Sequence, residues 1–463
     1  MDGIVGDRTF GQEHFGAAQL GDKRRTARLV RLGDKIARHP GGTLPDKVNN
    51  PADLKALYRL MDCEAVTHGS VIAAACERTR QQMAAADGTV LLIHDTTELD
   101  FTGLKSITTF GQIGNGKRRG YVAHNVLAVV AETRRVLGLA YQHLAKRPKV
   151  NKKESRAQRR DRPDRESRSW KRASGQLPTS PPGKLYVEVL DRGGDLLEYI
   201  DNADAQGRNY VVRSKHNRCI CLENGEETKL HDLARTLPAR GRRTVEVAGA
   251  EKRPPRTATV AVCWKRVTLQ MPRQPRGEVR GVPVTAWVVY LREVDPPAGV
   301  EPLEWILLTN VPVRNFDDAC QRIDWYACRW IIEEYHKGLK TGCQIEDMQF
   351  TSEARLQPAI GLISVVAILL LNLRDISRRP DAGQTPATAV FPRTYVQCLS
   401  LWRFRERRED LTLHEFCYAL ARLGGHQNRK HDHRPGWLVL WRGWTKLQLM
   451  AEHAEAIGDL RSG

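Results

Sequence analysis

The stretch KLYVEVLDRGGDLLEYI, residues 184–200, decides the fold class of this 463-residue chain. Its apolar run, Leu185 to Leu190, predicts a buried strand that ends at Asp191. A glycine turn and a helical pattern follow, and this succession of strand, turn and helix is typical of an α/β fold. Because ligands and catalytic groups collect at the carboxyl ends of strands in open α/β sheets, Asp191 is a candidate site residue.

A second stretch, GTVLLIHDTTEL (88–99), shows the same arrangement, since the apolar run Val90 to Ile93 stops just before Asp95. Either aspartate alone is equally well explained as a turn former or a helix N-cap. Two aspartates in matching positions weaken that explanation, and a third carboxylate on a neighbouring helix would weaken it further. Three more stretches, at 121–130, 136–144 and 209–216, predict further strands.

The formal net charge of +19 indicates a polyanionic partner. Nucleic acid is the first candidate, and an anionic membrane surface is the second. The only strong apolar run, AIGLISVVAILLL at 359–371, is too short to span a bilayer and predicts a buried helix. No secretory signal is visible at the N-terminus, and the ten cysteines include no CxxC pair. We therefore expect a cytoplasmic protein with reduced thiols and no membrane partner.

The chain divides into three regions by pattern. Residues 1–68 predict a helical, basic N-terminal DNA-binding domain, and 69–376 predict an α/β catalytic domain. A mostly β insertion is expected at about 217–303, a buried strand at 303–311, a long helix from about Phe316 to Lys340, and an apolar helix at 355–375 behind it. Residues 377–463 predict a helical C-terminal domain. The basic stretch 146–172 lacks apolar periodicity, which is typical of a mobile loop or linker.

The N-terminal segment LGDKRRTARLVRLGDKIARHP places an apolar face beside a basic one on a helix. A solvated charged face is the alternative interpretation, but such faces normally mix both signs of charge, and this one is almost entirely positive. DNA contact is therefore expected from Arg24, Arg25 and Arg28.

The stretch YACRWIIEEYHKGLK, residues 326–340, supplies the third carboxylate. At roughly 100° per residue, Tyr326, Arg329, Glu333 and Lys340 form one stripe, with Lys337 beside it and Glu334 pointing to the flank. An exposed face held by ion pairs four residues apart is the alternative. Three carboxylates on separate elements instead suit two Mg²⁺ ions, which Mn²⁺ could replace, and phosphoryl transfer.

Several motifs together resemble the DD-E transposases of bacterial insertion sequences, in particular the IS-four group. The resemblance covers nearly the whole chain, and the signature Y-x-x-R-x-x-x-E-x-x-x-x-x-x-K is complete. The matching motifs are LGDKRRTARL (20–29), HDTT (94–97), LDRGGD (190–195), YVVRSKH (210–216), PLEWILLT (302–309), YACRWIIEEYHKGLKTG (326–342), ARLGG (421–425) and WLVLWRGWTKLQ (437–448). One departure is that Gly193 and Gly194 follow Asp191-Arg192, where the family often has an acidic residue.

The resemblance implies a ribonuclease-H-like catalytic core with a β-rich insertion, flanked by helical N- and C-terminal domains. Asp95, Asp191 and Glu333 would be the catalytic, metal-binding triad. Tyr326, Arg329 and Lys340 would hold DNA phosphates near the cleavage site, Trp330 would stack on DNA, and Trp305 would shape a pocket for a flipped base. Arg213, Lys215 and His216 match a basic strand near the DNA. Ordinary core packing is the alternative role for each tryptophan.

The implied activity is cut-and-paste transposition, in which transposon ends are nicked, closed as hairpins, reopened and joined to target double-stranded DNA. The C-terminal region matches a dimerisation segment, so a homodimer on DNA is expected. Two alternatives stay open, namely a same-fold nuclease that cuts without joining and a non-catalytic DNA-binding protein derived from a transposase. A di-metal helical protein using Glu333 and His336 is disfavoured, because no second Glu-x-x-His occurs on a partner helix.

Overall fold

A computed structural model describes residues 8–147, 165–247, 256–271, 279–429 and 434–462, together with the single positions 154, 155, 158, 162 and 432. The fold is a mixed α/β arrangement in which one large sheet carries helical N- and C-terminal regions. The fold class predicted from the sequence is therefore confirmed. The predicted domain boundaries at 68 and 376 stay predictions.

Five helices are described in the N-terminal region, and the starts of four of them are fixed by side-chain caps. Thr9, Asp22, Asn50 and Thr67 each accept a hydrogen bond from a first-turn backbone N–H, as N-cap residues do. The basic helix buries Leu29, Leu32 and Ile36 on one face, as its periodicity predicts. The helices are α1 (Phe10–Phe15), α2 (Lys23–Arg38), α3 (Leu44–Val48), α4 (Pro51–Met61) and α5 (His68–Ala85).

Five strands form the part of the sheet that carries the candidate site. Their spatial order is β4-β3-β1-β5-β6, in which β3 runs antiparallel to both β4 and β1, while β5 and β6 run parallel to β1. This order is compatible with a ribonuclease-H-like core. The strands are β1 (Thr89–Asp100), β3 (Arg118–Val130), β4 (Val136–Ala145), β5 (Leu185–Leu190) and β6 (Asn209–Arg213), and the short β2 (Gly111–Ile113) pairs with β3.

The parallel ladder between β1 and β5 aligns the two aspartate motifs. Thr89 pairs with Leu185 and Ile93 with Val189, so partners in this ladder are 96 residues apart in sequence. Asp95 and Asp191 are also 96 apart (191 − 95), and both lie just beyond the last paired residues. Continuing the same register places them opposite each other on neighbouring strands, about 5 Å apart at the backbone.

The region after β6 extends the same sheet rather than forming a separate one. Its strands lie in the order β6-β12-β11-β10-β7-β8, and β9 pairs with β10. The predicted β-rich insertion is confirmed, with one short helix added. The elements are β7 (Cys219–Cys221), β8 (Glu227–Lys229), β9 (Gly241–Val247), β10 (Arg256–Leu269), β11 (Val284–Glu293) and β12 (Glu304–Thr309), and three helices between strands are α6 (Arg168–Gln176), α7 (Leu197–Ala205) and α8 (Leu230–Thr236).

The C-terminal half is helical. The apolar stretch Glu353–Ser377 is long enough to cross a membrane, but 83% of its most apolar window is buried inside the protein, as in the core helix of a soluble protein. The burial predicted for 359–371 is thus confirmed, but the stretch forms two successive helices that meet at Ala367. The helices are α9 (Phe316–Ala327), α10 (Trp330–Lys337), α11 (Glu353–Val366), α12 (Ile368–Ser377), α13 (Arg393–Phe404), α14 (Leu413–Leu423) and α15 (Trp437–Ser462).

Three local expectations need correction. The helix predicted as continuous from Phe316 to Lys340 is interrupted between α9 and α10, because Arg329 N donates to Tyr326 O at 2.9 Å in a tighter, three-residue turn. Strand β1 does not stop at Asp95 but continues to Asp100, paired with β3 throughout.

The third correction concerns the basic stretch 146–172. Residues 148–153, 156–157, 159–161 and 163–164 of this predicted loop lie outside the described residues. Its C-terminal end is helical rather than irregular, since α6 begins at Arg168. Trp170 anchors that helix by packing edge-on against His124 of β3, with 5.1 Å between ring centroids.

Candidate active site

Asp95 and Asp191 are positioned by two neighbouring strands and by their own backbone contacts. Asp95 Oδ1 accepts a hydrogen bond from Thr96 N at 2.8 Å, and Asp191 Oδ1 accepts one from Gly193 N at 2.8 Å. Asp191 therefore caps the short 3-10 turn Arg192–Gly194, and from the neighbouring strand its charge acts on Asp95. The turn-former role and the site role coexist in this residue.

Close packing explains why glycines occupy the two positions Gly193 and Gly194. A Cβ atom added at Gly193 would lie 3.1 Å from the Trp170 ring, and one at Gly194 would lie 2.6 Å from Leu190 Cβ. Trp170 therefore occupies the space that a side chain at position 193 would need. The two glycines therefore fit this packing, and Asp191 keeps its place beside them.

Glu333 reaches the aspartates from helix α10 through a shared arginine. Arg329 Nη1 lies 3.2 Å from Asp95 Oδ2 and 3.2 Å from Glu333 Oε1, so one guanidinium bridges two carboxylates. Arg329 and Glu333 therefore lie on one face, as predicted, and that face is turned towards Asp95 of β1. We call Asp95, Asp191 and Glu333 the acidic cluster.

The acidic cluster carries more negative charge than its surroundings neutralise. Burial raises the pKa of Asp95 to about 7, Arg329 opposes this shift, and the carboxylates of Asp191 and Glu333 reinforce it. Near neutral pH, Asp95 thus exchanges a proton readily between its ionised and neutral forms. A group with this behaviour in a cluster of like charges is typical of a functional site.

His336 joins this site although the sequence reading set it aside. One ligand atom from each of Asp95, Glu333 and His336 lies within 4.8 Å of the other two, whereas Asp191 is not a member of that group. The spacing of three residues on α10 between Glu333 and His336 was the available signal. What the sequence could not show is that Asn125 of β3 lies directly opposite Asp95.

The carboxylates and His336 differ in whether they have an atom free to hold a metal ion. Asn125 Nδ2 donates to His336 Nε2 at 3.0 Å, so this ring nitrogen is already occupied as an acceptor. Burial lowers the pKa of His336 to about 3, so the ring is neutral and its other nitrogen carries the proton. The carboxylates thus fit hard divalent cations, and His336 fits a positioning role beside them.

Glu334, the neighbour of Glu333, points away from the acidic cluster and into the protein interior. It pairs with Arg374, which is only 2% exposed and also donates to Asp375 Oδ1 at 2.5 Å. Asp375 Oδ2 accepts a further hydrogen bond from Val136 N at 2.9 Å. Glu334 is therefore part of a buried structural ion-pair group.

Two predicted DNA-binding residues pack against each other beside the acidic cluster. The Trp305 ring of β12 meets the Tyr326 ring edge-on, with 4.9 Å between centroids. Tyr326 is only 4% exposed. Arg213 of β6 is half-buried and donates to Glu304 O at 3.1 Å. These three residues form one wall of the site.

The other residues predicted on this helix face are more open. Trp330 is 52% exposed, and the Lys337 ammonium lies 5.2 Å from its ring centroid. Lys340 Nζ lies 3.5 Å from Glu346 Oε1, a pair at the edge of the site. An exposed aromatic ring beside a cation presents surface suited to stacking and phosphate contact.

The loop that carries Lys215 and His216 is held by Asp195, a residue that the sequence reading did not single out. The buried Asp195 Oδ2 accepts hydrogen bonds from Lys215 N at 2.6 Å and His216 N at 2.9 Å. Arg218 Nη2 donates to Asp195 Oδ1 at 2.5 Å. Both predicted DNA-binding side chains are exposed on a loop whose backbone is fixed from within.

The N-terminal basic residues lie apart, on helix α2. Arg24 and Arg28 are exposed, and Arg25 donates to Leu20 O at 3.0 Å. Carboxylates from elsewhere partly neutralise this face, because Asp22 pairs with Arg24 while Asp53 of α4 pairs with Arg31 and Lys35. Arg28 projects from the helix with no ion pair among the described residues.

Comparison with known protein families supports the role of this N-terminal region. Residues 7–66 match the family model described as "Transposase DNA-binding". The match covers α1 to α4, including the basic helix α2. It supports a transposase with a DNA-binding role and makes DNA the partner of this region.

Proposed function

We propose that the chain is a DD-E transposase of the IS-four type that performs cut-and-paste transposition through the acidic cluster. The observation that carries this proposal is the convergence of Asp95, Asp191 and Glu333 from two strands and one helix, with excess negative charge on Asp95. The N-terminal match to a transposase DNA-binding model supports the same class of protein.

The carboxylates of Asp95, Asp191 and Glu333 would hold two Mg²⁺ ions, or Mn²⁺ in their place. Such ions supply positive charge that activates an attacking oxygen and stabilises a leaving one during in-line displacement at phosphorus. The fit rests on the oxygen donors and on the unneutralised charge that already keeps a proton on Asp95 near pH 7.

The chain's own residues would bind and orient the DNA. Trp330 and Lys337 offer a stacking surface and a cation beside Glu333, and Arg329 and Lys340 offer further positive charge for phosphates. Trp305 would border the space for a flipped base, and Tyr326 supports that ring from behind. Arg213, Lys215 and His216 would extend the contact along β6 and its loop.

One acidic cluster can serve all four steps of transposition. Nicking, hairpin formation, hairpin opening and strand transfer are each an in-line displacement at phosphorus with the same demand for charge stabilisation. The substrates would be the double-stranded transposon ends and the target DNA. Arg24, Arg25 and Arg28 would hold the transposon end through the N-terminal region.

We also propose a homodimer on DNA, formed through the C-terminal helices. Helices α13 and α15 expose Leu401, Phe404, Leu449 and Ile457, which are large apolar side chains of the kind that interfaces cover. A cytoplasmic location, with access to DNA, is part of the same proposal.

The decisive experiment combines the purified full chain, Mg²⁺ and linear DNA carrying the element's own ends. We expect hairpin-ended excision products and joined products, and we expect Glu333→Gln to lower their formation at least about a thousandfold, because a metal ligand is lost. Glu334→Gln is the matched neighbour, and its folded fraction should keep activity near the wild-type level.

Other results would point to the alternatives. Nicks without joining would leave the same-fold nuclease, and DNA binding without any cleavage would leave the non-catalytic protein. Full activity in Glu333→Gln would remove the acidic cluster from the mechanism.

A further inference from the structure

A second candidate site lies two strands away from Asp95, at the outer edge of β4. A cavity of about 460 Å³ opens there between helices α5 and α6, and we call it the edge cavity. Its volume lies within the range of roughly 300–1,000 Å³ that is typical of small-molecule sites. Its polar lining consists of His68, Arg80, Gln142, His143, Arg172 and Gln176.

The charge of the edge cavity selects an anion. Its lining residues include two arginines and no aspartate or glutamate. Arg172 Nη1 contacts only a neutral partner, His143 Nε2, at 3.1 Å, and forms no ion pair within the described parts of the chain. Arg80 pairs with Glu77 at the exposed rim. An unneutralised guanidinium beside an imidazole is a good receptor for phosphate oxygens.

The pKa values of the two histidines in the cavity are lowered. Burial, reinforced by Arg172, lowers the pKa of His143, and burial lowers the pKa of His68. Both imidazoles are held neutral by their surroundings, an effect that a nearby anion would reverse. Part of the lining is apolar, with Ile72, Ala73 and Tyr141, and this apolar wall offers a surface for a flat ring.

We propose that the edge cavity binds a single nucleotide, with its phosphate on Arg172, Arg80 and His143 and its base against the apolar wall. The nucleotide could be free in solution or could be one unit of a DNA strand, since both present the same phosphate and base. Binding at the edge cavity does not require the transposase reaction.

A chain of hydrogen bonds joins the edge cavity to the acidic cluster. His68 Nε2 donates to Gln142 Oε1 at 2.8 Å, and Gln142 Nε2 donates to Asn125 Oδ1 at 2.7 Å. Asn125 in turn donates to His336. Gln142, Asn125 and Asp95 also pair in register across β4, β3 and β1. A nucleotide that shifts the His68 ring would therefore change the hydrogen bond that His336 accepts, beside the acidic cluster.

The binding test uses the full chain, without divalent cation, and a fluorescently labelled deoxyadenosine monophosphate. We expect saturable binding that weakens at least about tenfold in Arg172→Glu and less in Arg172→Gln. Arg292→Glu is the matched control, because it makes the same change in net charge at an exposed position on β11, and it should weaken binding no more than about twofold. Equal weakening in both glutamate variants, or no saturable binding, with this probe and also with the octanucleotide of the second arm would overturn the proposal.

A second arm identifies the source of the nucleotide. An octanucleotide with the same label is titrated into the same variants, and melting temperatures establish that each variant is folded. If only the octanucleotide responds to Arg172→Glu, the edge cavity takes a nucleotide within a DNA strand. Glu333→Gln should bind the mononucleotide like the wild type, so a failure of catalysis and a failure of this site are distinguishable.

The link to His336 has its own measurement. In protein labelled with ¹³C-histidine, saturating nucleotide should shift the His336 ring signal, and Gln142→Leu should abolish that shift while leaving the His143 shift in place. A His336 signal that does not move with saturating nucleotide would overturn the link.

Discussion

Two consecutive glutamates of helix α10, Glu333 and Glu334, belong to two ion-pair groups that contain the same residue types but differ in burial and in contact distances. In each group one arginine sits between two carboxylates, namely Arg329 with Asp95 and Glu333, and Arg374 with Glu334 and Asp375. Arg374 is 2% exposed and Arg329 is 16% exposed. Arg329 makes its contacts at 3.2 Å, whereas Arg374 contacts Asp375 at 2.5 Å.

This difference separates a structural ion-pair group from the group that we propose to be functional. The Arg374 group is closed, because Asp375 also accepts a backbone N–H and Arg378 supplies a second positive charge near it. The Arg329 group is open, because Asp191 adds a further negative charge nearby and Asp95 keeps a proton near pH 7. The same residue types thus hold a fold together on one face of a helix and leave binding capacity on the other.

The largest expected effect comes from removing the two arginines. Arg374→Met should lower the free energy of unfolding by about 3–5 kcal/mol, because it leaves buried carboxylates without a counter-charge. Arg329→Met should cost about 1 kcal/mol or less, since Asp95 can keep its proton instead. Urea unfolding at pH 7 measures both. Equal losses of stability in the two variants would erase the distinction between the groups.

The next effect is the dependence of stability on pH. Because the pKa of Asp95 is raised in the folded state, its contribution to stability is fully present below about pH 4 and is lost as pH rises through about 7. Asp95→Asn cannot ionise, so at pH 8 without metal it should be roughly 2–4 kcal/mol more stable than the wild type. The gain should disappear at pH 4.

Exposed Asp87 provides the control for that measurement, and Asp87→Asn should follow the wild-type curve at every pH. Added Mg²⁺ should narrow the gap at pH 8, because it stabilises only the protein that retains the carboxylate. A gap between Asp95→Asn and wild type that is the same at pH 4 and pH 8 would contradict the assigned cause.

The smallest effect concerns the N-terminal helix. Arg28→Gln should weaken binding of double-stranded DNA a few-fold and reduce the slope of log affinity against log salt by about one, as expected for one lost phosphate contact. Arg292→Gln on β11 should leave the slope unchanged. Fluorescence anisotropy between about 50 and 200 mM salt is sufficient, and an unchanged slope in Arg28→Gln would remove this residue from the interface.

Much of this architecture was predictable from local pattern. The run Leu185 to Leu190 is apolar and bounded by a turn, so its strand ends where the sequence indicates. Glu333 could be separated from Glu334 by helical spacing alone, because a helix places residues four apart on one face. The match of residues 7–66 to a transposase DNA-binding model agrees with the DNA contact expected from the basic segment.

What escaped prediction depends on contacts between distant parts of the chain. β1 continues past Asp95 because β3 pairs with it to Asp100, and no local signal records that partner. The turn at Arg329 interrupts a pattern that looks continuous in sequence. Asn125, His336 and Asp195 are isolated polar residues whose roles depend on what faces them, and α6 is held by Trp170 across the sheet.

The register of β1 against β5 has a consequence for how the protein is made. Asp95 and Asp191 meet only when segments 96 residues apart have paired, and Glu333 arrives another 142 residues later (333 − 191). Such long-range pairing forms slowly and cannot precede synthesis of the later segment. A nascent chain therefore holds no complete acidic cluster until α10 has left the ribosome and docked, so under the proposed function an unfinished copy would be unable to cut the DNA of the cell that is making it.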